Sequence, residues 1–198
     1  MAHSFRTRLG KERVVTWWKN FSVENFLDEN DVAELKDLLS RCDEVLCARD
    51  HSLYDCVKYN VPSKEWNVPA FKKIIKRGTR HNKTLDACYF LKYPKYSFTR
   101  SHVDNPNKVQ KTLITMIEES PDLIGGETLV WDRYYALPVK EGHHVRGTDG
   151  VQALHKVDEI ICSPKLKPGE TLIYDAMTKH AVTQVEQGHR IVLVTWYR

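Results

Sequence analysis

From residue 85 to the last residue, the chain is written in short apolar segments separated by turn residues. Between most of them there is no room for a helix. Strand-sized runs occupy 85–93, 96–103, 110–117, 127–131, 158–162, 171–174, 181–185 and 190–197. Several are punctuated by Pro94, Pro106, Gly125-Gly126, Pro168-Gly169 and Gly188, residues that end strands and permit turns. Eight short strands without intervening helices imply an antiparallel sandwich or barrel, and a jelly roll (double-stranded β-helix) has that strand count.

The first 84 residues read differently. Asn30 is placed to cap a helix in which Val32, Leu35, Leu38 and Leu39 recur at helical spacing. A second helix is expected to start after Pro69, carry Phe71, Ile74 and Ile75, and stop at Gly78. The segment 1–84 is therefore expected to be a helical scaffold for a jelly-roll core over 85–198. At 198 residues the chain suits a single domain. Residues 132–157 form a long polar connection inside the strand region, and connections of that length often serve as lids or binding loops.

Composition removes several alternatives. A formal charge of +4 falls short of a dedicated nucleic-acid binder. Two basic runs stand out: Arg6, Arg8, Lys11 and Arg13, and then Lys72, Lys73, Lys76, Arg77, Arg80 and Lys83. The second offers only Phe71 for stacking, so both read first as solvated faces. The longest apolar runs, such as 191–194, are strand-sized, which predicts no membrane span. The start lacks the apolar stretch of a secretory signal, and the five cysteines are odd in number with no C-x-x-C pair. Reduced thiols in a cytoplasmic protein are the expectation.

Chemistry concentrates at a few positions. In His102-Val103-Asp104 an imidazole and a carboxylate share one side of an extended segment. His180 can add a third leg from a distant strand. Two imidazoles and one carboxylate leave other coordination positions open, which suits non-haem Fe(II). Arg190 follows on the next strand, past the turn at Gly188, where a fixed cation can hold an acid bidentately. His189 should point to the opposite face from Arg190. His143, His144 and His155 lie in the long connection, either as exposed polar residues or as substrate contacts after lid closure.

In order and spacing, these features resemble the 2-oxoglutarate/Fe(II)-dependent dioxygenases, and most closely their prolyl 4-hydroxylase-like branch. The resemblance covers about residues 85–198. It rests on Tyr93 ahead of His102, on HisValAspAsnProAsn, on GlyGlyGluThr at 125–128, on His180 through Val182, Val185 and Gly188 to Arg190, and on the closing TrpTyrArg. It implies that His102, Asp104 and His180 ligate Fe(II), and that Arg190 binds the distal carboxylate of 2-oxoglutarate with Tyr93 hydrogen-bonding the same group. Tyr93 also reads as an aromatic filling the barrel. Many relatives carry another aromatic near where this chain has Met116, so the lining of the co-substrate pocket departs from their pattern.

The implied activity consumes O2 and 2-oxoglutarate and hydroxylates an unactivated C–H bond. The expected substrate is a prolyl or other amino-acid residue in a peptide, a free amino acid or a related small molecule. Asp104 argues against a halogenating relative, in which a small residue replaces the carboxylate. A nucleic-acid or modified-base oxygenase, suggested by the basic runs, is the alternative enzyme, disfavoured because RIVLVTWYR lacks a second arginine at the spacing of the nucleic-acid dealkylating branch. A non-catalytic binding module on the same scaffold is the alternative from another class. On the GGET strand, Thr128 and Val130 share one face and Leu129 and Trp131 the other, and the sequence leaves open which faces inward.

Overall fold

The computed structural model describes residues 2–6, 12–18, 21–45, 54–80, 83–104, 107, 109–138 and 155–198, with backbone alone for 2–6, 12–18, 54, 132–138 and 155–160. In chain order the first strands are β1 (Ala2–Arg6), β2 (Glu12–Trp18) and β3 (Phe21–Asn25), followed by helix α1 (Glu29–Ser40). Then come β4 (Asp43–Val45), β5 (Tyr54–Asp55), β6 (Val57–Asn60), a 3-10 turn at Ser63–Asn67 and helix α2 (Pro69–Gly78). The remainder is all strand: β7 (Leu85–Tyr93), β8 (Phe98–His102), β9 (Lys111–Glu119), β10 (Ile124–Gly125) and β11 (Thr128–Pro138). It continues through β12 (His155–Cys162), β13 (Glu170–Asp175), β14 (His180–Val182), β15 (Val185–Gln187) and β16 (Arg190–Tyr197).

The chain divides into two compact units. One holds residues 1–20 and 131–162. In it β1 pairs with β2, β2 pairs with the later residues of β11, and β12 also pairs with β11. The segment expected to be one long loop thus begins as strand to Pro138 and ends as strand from His155. His143 and His144 fall outside the described residues.

The other unit holds residues 21–130 and 163–198. Its large antiparallel sheet runs β3-β13-β9-β16-β7-β6-β4. A second sheet is built from the start of β11, then β14, β8 and β5. This is the jelly-roll arrangement expected from the strand count. The strand alternation of the large sheet separates two cores. Cys88, Phe90, Leu113, Ile117, Ile173, Ile191, Leu193 and Tyr197 pack with α1 and α2. Their neighbours in sequence, Tyr89, Tyr93, Ile114, Met116, Leu172, Tyr174, Val192 and Val194, form the other core with Val130 and Val182 from the second sheet.

The first 84 residues contain strands as well as the two helices, since β3, β4 and β6 extend the large sheet. Helix α2 spans the expected residues, with proline in its first turn. Helix α1 begins one residue before Asn30, capped by Asp28 instead: Asp28 accepts from the Asp31 amide at 2.9 Å and Asp31 accepts from the Asp28 amide at 3.0 Å. This reciprocal box satisfies two backbone donors, which a lone Asn30 would not do.

At the end of α2, Gly78 faces the fully buried ring of Tyr197, and a Cβ there would lie 1.9 Å from the ring's Cζ. The Tyr197 hydroxyl donates to the Ile74 carbonyl at 3.3 Å, tying the last strand to the helix. Gly78→Ala is therefore expected to lower unfolding stability by about 1–3 kcal/mol, the usual cost of overpacking. Equilibrium denaturation checks this, with exposed Lys76→Ala on the same helix as the reference.

Candidate metal centre

Three side chains from two adjacent strands and the residue run after one of them converge. β14 lies on β8 in a register that sets His180 directly opposite His102. Alternation past the end of β8 turns Val103 outward, 41% exposed, and brings Asp104 back inward, 6% exposed. The potential ligand atoms of His102, Asp104 and His180 all lie within 4.8 Å of one another. Asp104 Oδ1 is 4.0 Å from Nε2 of each histidine. Among the described residues this is the one such cluster of three.

The surroundings prepare each group to ligate. His102 Nδ1 lies 2.9 Å from the Arg100 carbonyl and His180 Nδ1 2.9 Å from the Thr178 carbonyl. A carbonyl only accepts, so both Nδ1 atoms carry hydrogen and both Nε2 lone pairs face the centre. Burial first and the neighbouring His102 second bring the His180 pKa from its ordinary 6.5 down to about 4, against the opposing pull of Asp104. His180 is thus neutral, as a ligand must be. Asp104 Oδ2 accepts from the buried Thr112 hydroxyl, which leaves Oδ1 for the centre. Tyr174 closes the rear wall, its ring 4.7 Å from that of His180.

The cluster borders a cavity of about 260 Å³. Its lining is mainly apolar, including Leu91, Ile114, Val182 and Val194, with Tyr93, Thr99, Thr128 and Trp196 at intervals. The Tyr93 hydroxyl is 3.1 Å from that of Thr99. Arg190 stands opposite Tyr93 in the β16–β7 register, with its guanidinium 5.8 Å from the Tyr93 ring. It is 3% exposed, and Nη1 donates to the Gly126 carbonyl. Nε has no partner, and no carboxylate lies within 4.0 Å among the described residues. Burial pulls the pKa of this guanidinium below its ordinary range, opposed by Tyr93 and Glu119.

Arg190 lines the neighbouring cavity, not the one that holds the three ligands. Thr128 borders both, and its hydroxyl is also buried without a partner. The two glycines before it make this approach possible. Gly125 and Gly126 adopt φ of +74° and +67°, and a Cβ on Gly126 would lie 3.3 Å from the Arg190 side chain.

The other expectations sort as follows. His189 points away and meets Glu118 at 2.9 Å, so it is not part of the cluster. Thr128 and Val130 are the inward pair on their strand, and Trp131 is only half-buried. Met116 is buried in the inter-sheet core and borders the Arg190 cavity. Lys73 and Arg77 are engaged with Asp31 and Glu24, and Lys83 with Gln110. Half of the second basic run is therefore structural. No helix among the described residues is long and apolar enough to cross a membrane. Sequence reading missed Thr112 and Tyr174. The signal for Thr112 was a hydroxyl in the inward row it shares with Ile114 and Met116.

No family model matches the sequence, and no curated protein matches it. Solved structures do. A 2OG-Fe(II) oxygenase family oxidoreductase from Burkholderia pseudomallei superposes with TM-score 0.59 at 15% identity, over 90% of this chain and 84% of that one. A Pseudomonas putida prolyl-4-hydroxylase gives 0.60 at 15% identity, over 90% and 92%. A prolyl hydroxylase from Trichoplax adhaerens, solved with a hypoxia inducible factor peptide fragment, gives 0.57 at 15% identity, over 90% and 83%. The protein has a double-stranded β-helix fold. More particularly, it has the fold of the 2OG-Fe(II) oxygenases, prolyl hydroxylases among them.

Two outcomes follow from this geometry. Thr112→Val should weaken divalent-metal binding by about 10–100-fold, the usual cost of losing a hydrogen bond that orients a ligand, whereas Thr112→Ser should retain it. A Co(II) titration followed by absorbance reads this. Because His180 binds its proton less readily folded than unfolded, the metal-free protein should lose stability as pH falls from about 6.5 toward about 4. In His180→Gln that component of the pH dependence should vanish from denaturation midpoints.

Proposed function

We propose that this chain is an Fe(II)- and 2-oxoglutarate-dependent dioxygenase that hydroxylates an unactivated C–H bond. Its substrate is a prolyl or other amino-acid residue of a peptide, a free amino acid or a related small molecule. The observation that carries the reading is a His, His, carboxylate set beside a buried guanidinium with no carboxylate within 4.0 Å among the described residues. An unpaired buried cation is costly, and a diacid co-substrate is the kind of ligand that relieves it.

The residues fit both groups. His102 Nε2, Asp104 Oδ1 and His180 Nε2 would hold the ferrous ion, with one side left open. Arg190 would hold the distal carboxylate of 2-oxoglutarate through its unpartnered Nε, supported by the Thr128 hydroxyl and by Tyr93. When bound, these two groups supply the activation of O2, with succinate and carbon dioxide as co-products. The chain's own work is positioning and protection. The Arg100 and Thr178 carbonyls keep protons on the far side of both imidazoles, and Thr112 prevents Asp104 from rotating. Leu91, Ile114, Val182 and Val194 keep water from the reacting carbon. The likeness to prolyl hydroxylases, including one solved with a peptide, supports an amino-acid or peptide substrate.

Succinate formation from 2-oxoglutarate with added Fe(II), screened over proline-rich peptides, free amino acids and oligonucleotides, tests the reading. Asp104→Ala should abolish turnover. Arg190→Ala should raise the 2-oxoglutarate requirement by about tenfold or more, as expected for loss of a charge-assisted hydrogen bond, while changing iron affinity little. Undiminished turnover in Asp104→Ala would refute the iron assignment.

A further inference from the structure

The cavity that holds the three ligands has a second charged wall. Lys58 lies on β6 opposite Leu91 of β7, so the two side chains share the face that lines the cavity. Its Nζ rests 4.1 Å above the centre of the Tyr89 ring. That ring is in turn braced edge-on against Trp196, at 5.5 Å and 86°. Lys58, Tyr89 and Trp196 all line this cavity, with Cys56 one strand-step from Lys58. Lys58 is the only lysine or arginine among the described residues that line it. Among the described residues no carboxylate lies within 4.0 Å of it, and it is half-buried.

Among the described residues Asp104 is the cavity's only acid, and it is committed to Thr112 and the metal centre. Arg190, which the oxygenase reading assigns to the co-substrate, opens to the other cavity. The Lys58 ammonium therefore remains as an uncommitted positive group on a mainly apolar lining, and such isolated polar groups orient ligands. The Tyr89 ring face, itself braced by Trp196, favours this placement of the ammonium.

We infer that Lys58 is a substrate-specificity residue, and that the substrate presents a carboxylate to it while the carbon to be oxidised faces the metal centre. This rests on the oxygenase reading and narrows its substrate class to acids. The carboxylate comes either from a free amino acid or from an acidic residue of a peptide.

Isothermal titration of the Mn(II)-loaded full chain with matched pairs tests this. One arm compares free L-amino acids with their carboxamides, and the other compares Asp- or Glu-containing peptides with their Asn or Gln counterparts. The acid member of at least one pair should bind about tenfold or more tightly than its amide. Lys58→Gln should erase that preference and Lys58→Arg should keep it, with circular dichroism confirming that both variants are folded. The arm that shows the preference identifies the source of the carboxylate. The proposal is overturned if no acid binds, if Lys58→Gln still prefers acids, or if its lost affinity is for 2-oxoglutarate alone. Succinate formation by the wild-type protein is scored separately, so failure of the oxygenase reading is distinguishable from failure of the Lys58 assignment.

Discussion

The antiparallel register is the constraint on which the rest of this structure depends. β16 sits between β7 and β9, and its even-numbered residues, Arg190, Val192, Val194 and Trp196, all face the inter-sheet space. Of its odd-numbered residues, Ile191, Leu193 and Tyr197 pack in the core that includes the helices. A slip of one residue would exchange these sets, putting a guanidinium under α1 and α2 and a tyrosine in the chamber. Two cores of opposite parity make that slip expensive. The β14–β8 register depends on the same logic, because pairing His180 with His102 is what closes the ligand cluster.

Most of the barrel was legible in the sequence because its strands alternate and their ends carry glycine or proline. β7 and β16 have the expected boundaries, and α2 lies between the proline and glycine that mark it. The sheet extensions in the first 84 residues were not legible. β3, β4 and β6 are short edge or near-edge strands whose side chains are mostly half-exposed, so they carry little apolar periodicity. They exist because neighbouring strands offer unpaired backbone groups. The α1 cap was misplaced for a related reason: Asp28, Asn30 and Asp31 are all capping residues, and only the folded backbone selects the reciprocal pair.

The candidate site was legible as residue types and illegible as surroundings. His102, Asp104, His180 and Arg190 carry spacing that a reader can recognise. Thr112 and Lys58 do not, because each is an ordinary strand residue whose role arises from what lies across the chamber, and Thr128 was legible only as the end of the GlyGlyGluThr stretch. Placement also revised one simple picture. Arg190 and the three ligands are separated by Thr128, and each borders its own cavity. A molecule that joins them must pass the Thr128 hydroxyl, which is left without a partner by the protein itself.

Charge ties these parts together. The described residues include one buried arginine without a carboxylate within 4.0 Å, one lysine above an aromatic ring in the cavity, and one aspartate beside two imidazoles. Each imbalance matches a ligand of opposite character: an acid, a second acid and a cation. A crystal structure with Mn(II) and 2-oxoglutarate, grown without oxygen, examines that claim most directly. The account predicts one metal ion on His102 Nε2, Asp104 Oδ1 and His180 Nε2, with the distal carboxylate of 2-oxoglutarate on Arg190 and Thr128. A metal ion bound elsewhere, or the diacid lying on Lys58 with Arg190 still on the Gly126 carbonyl, would contradict it.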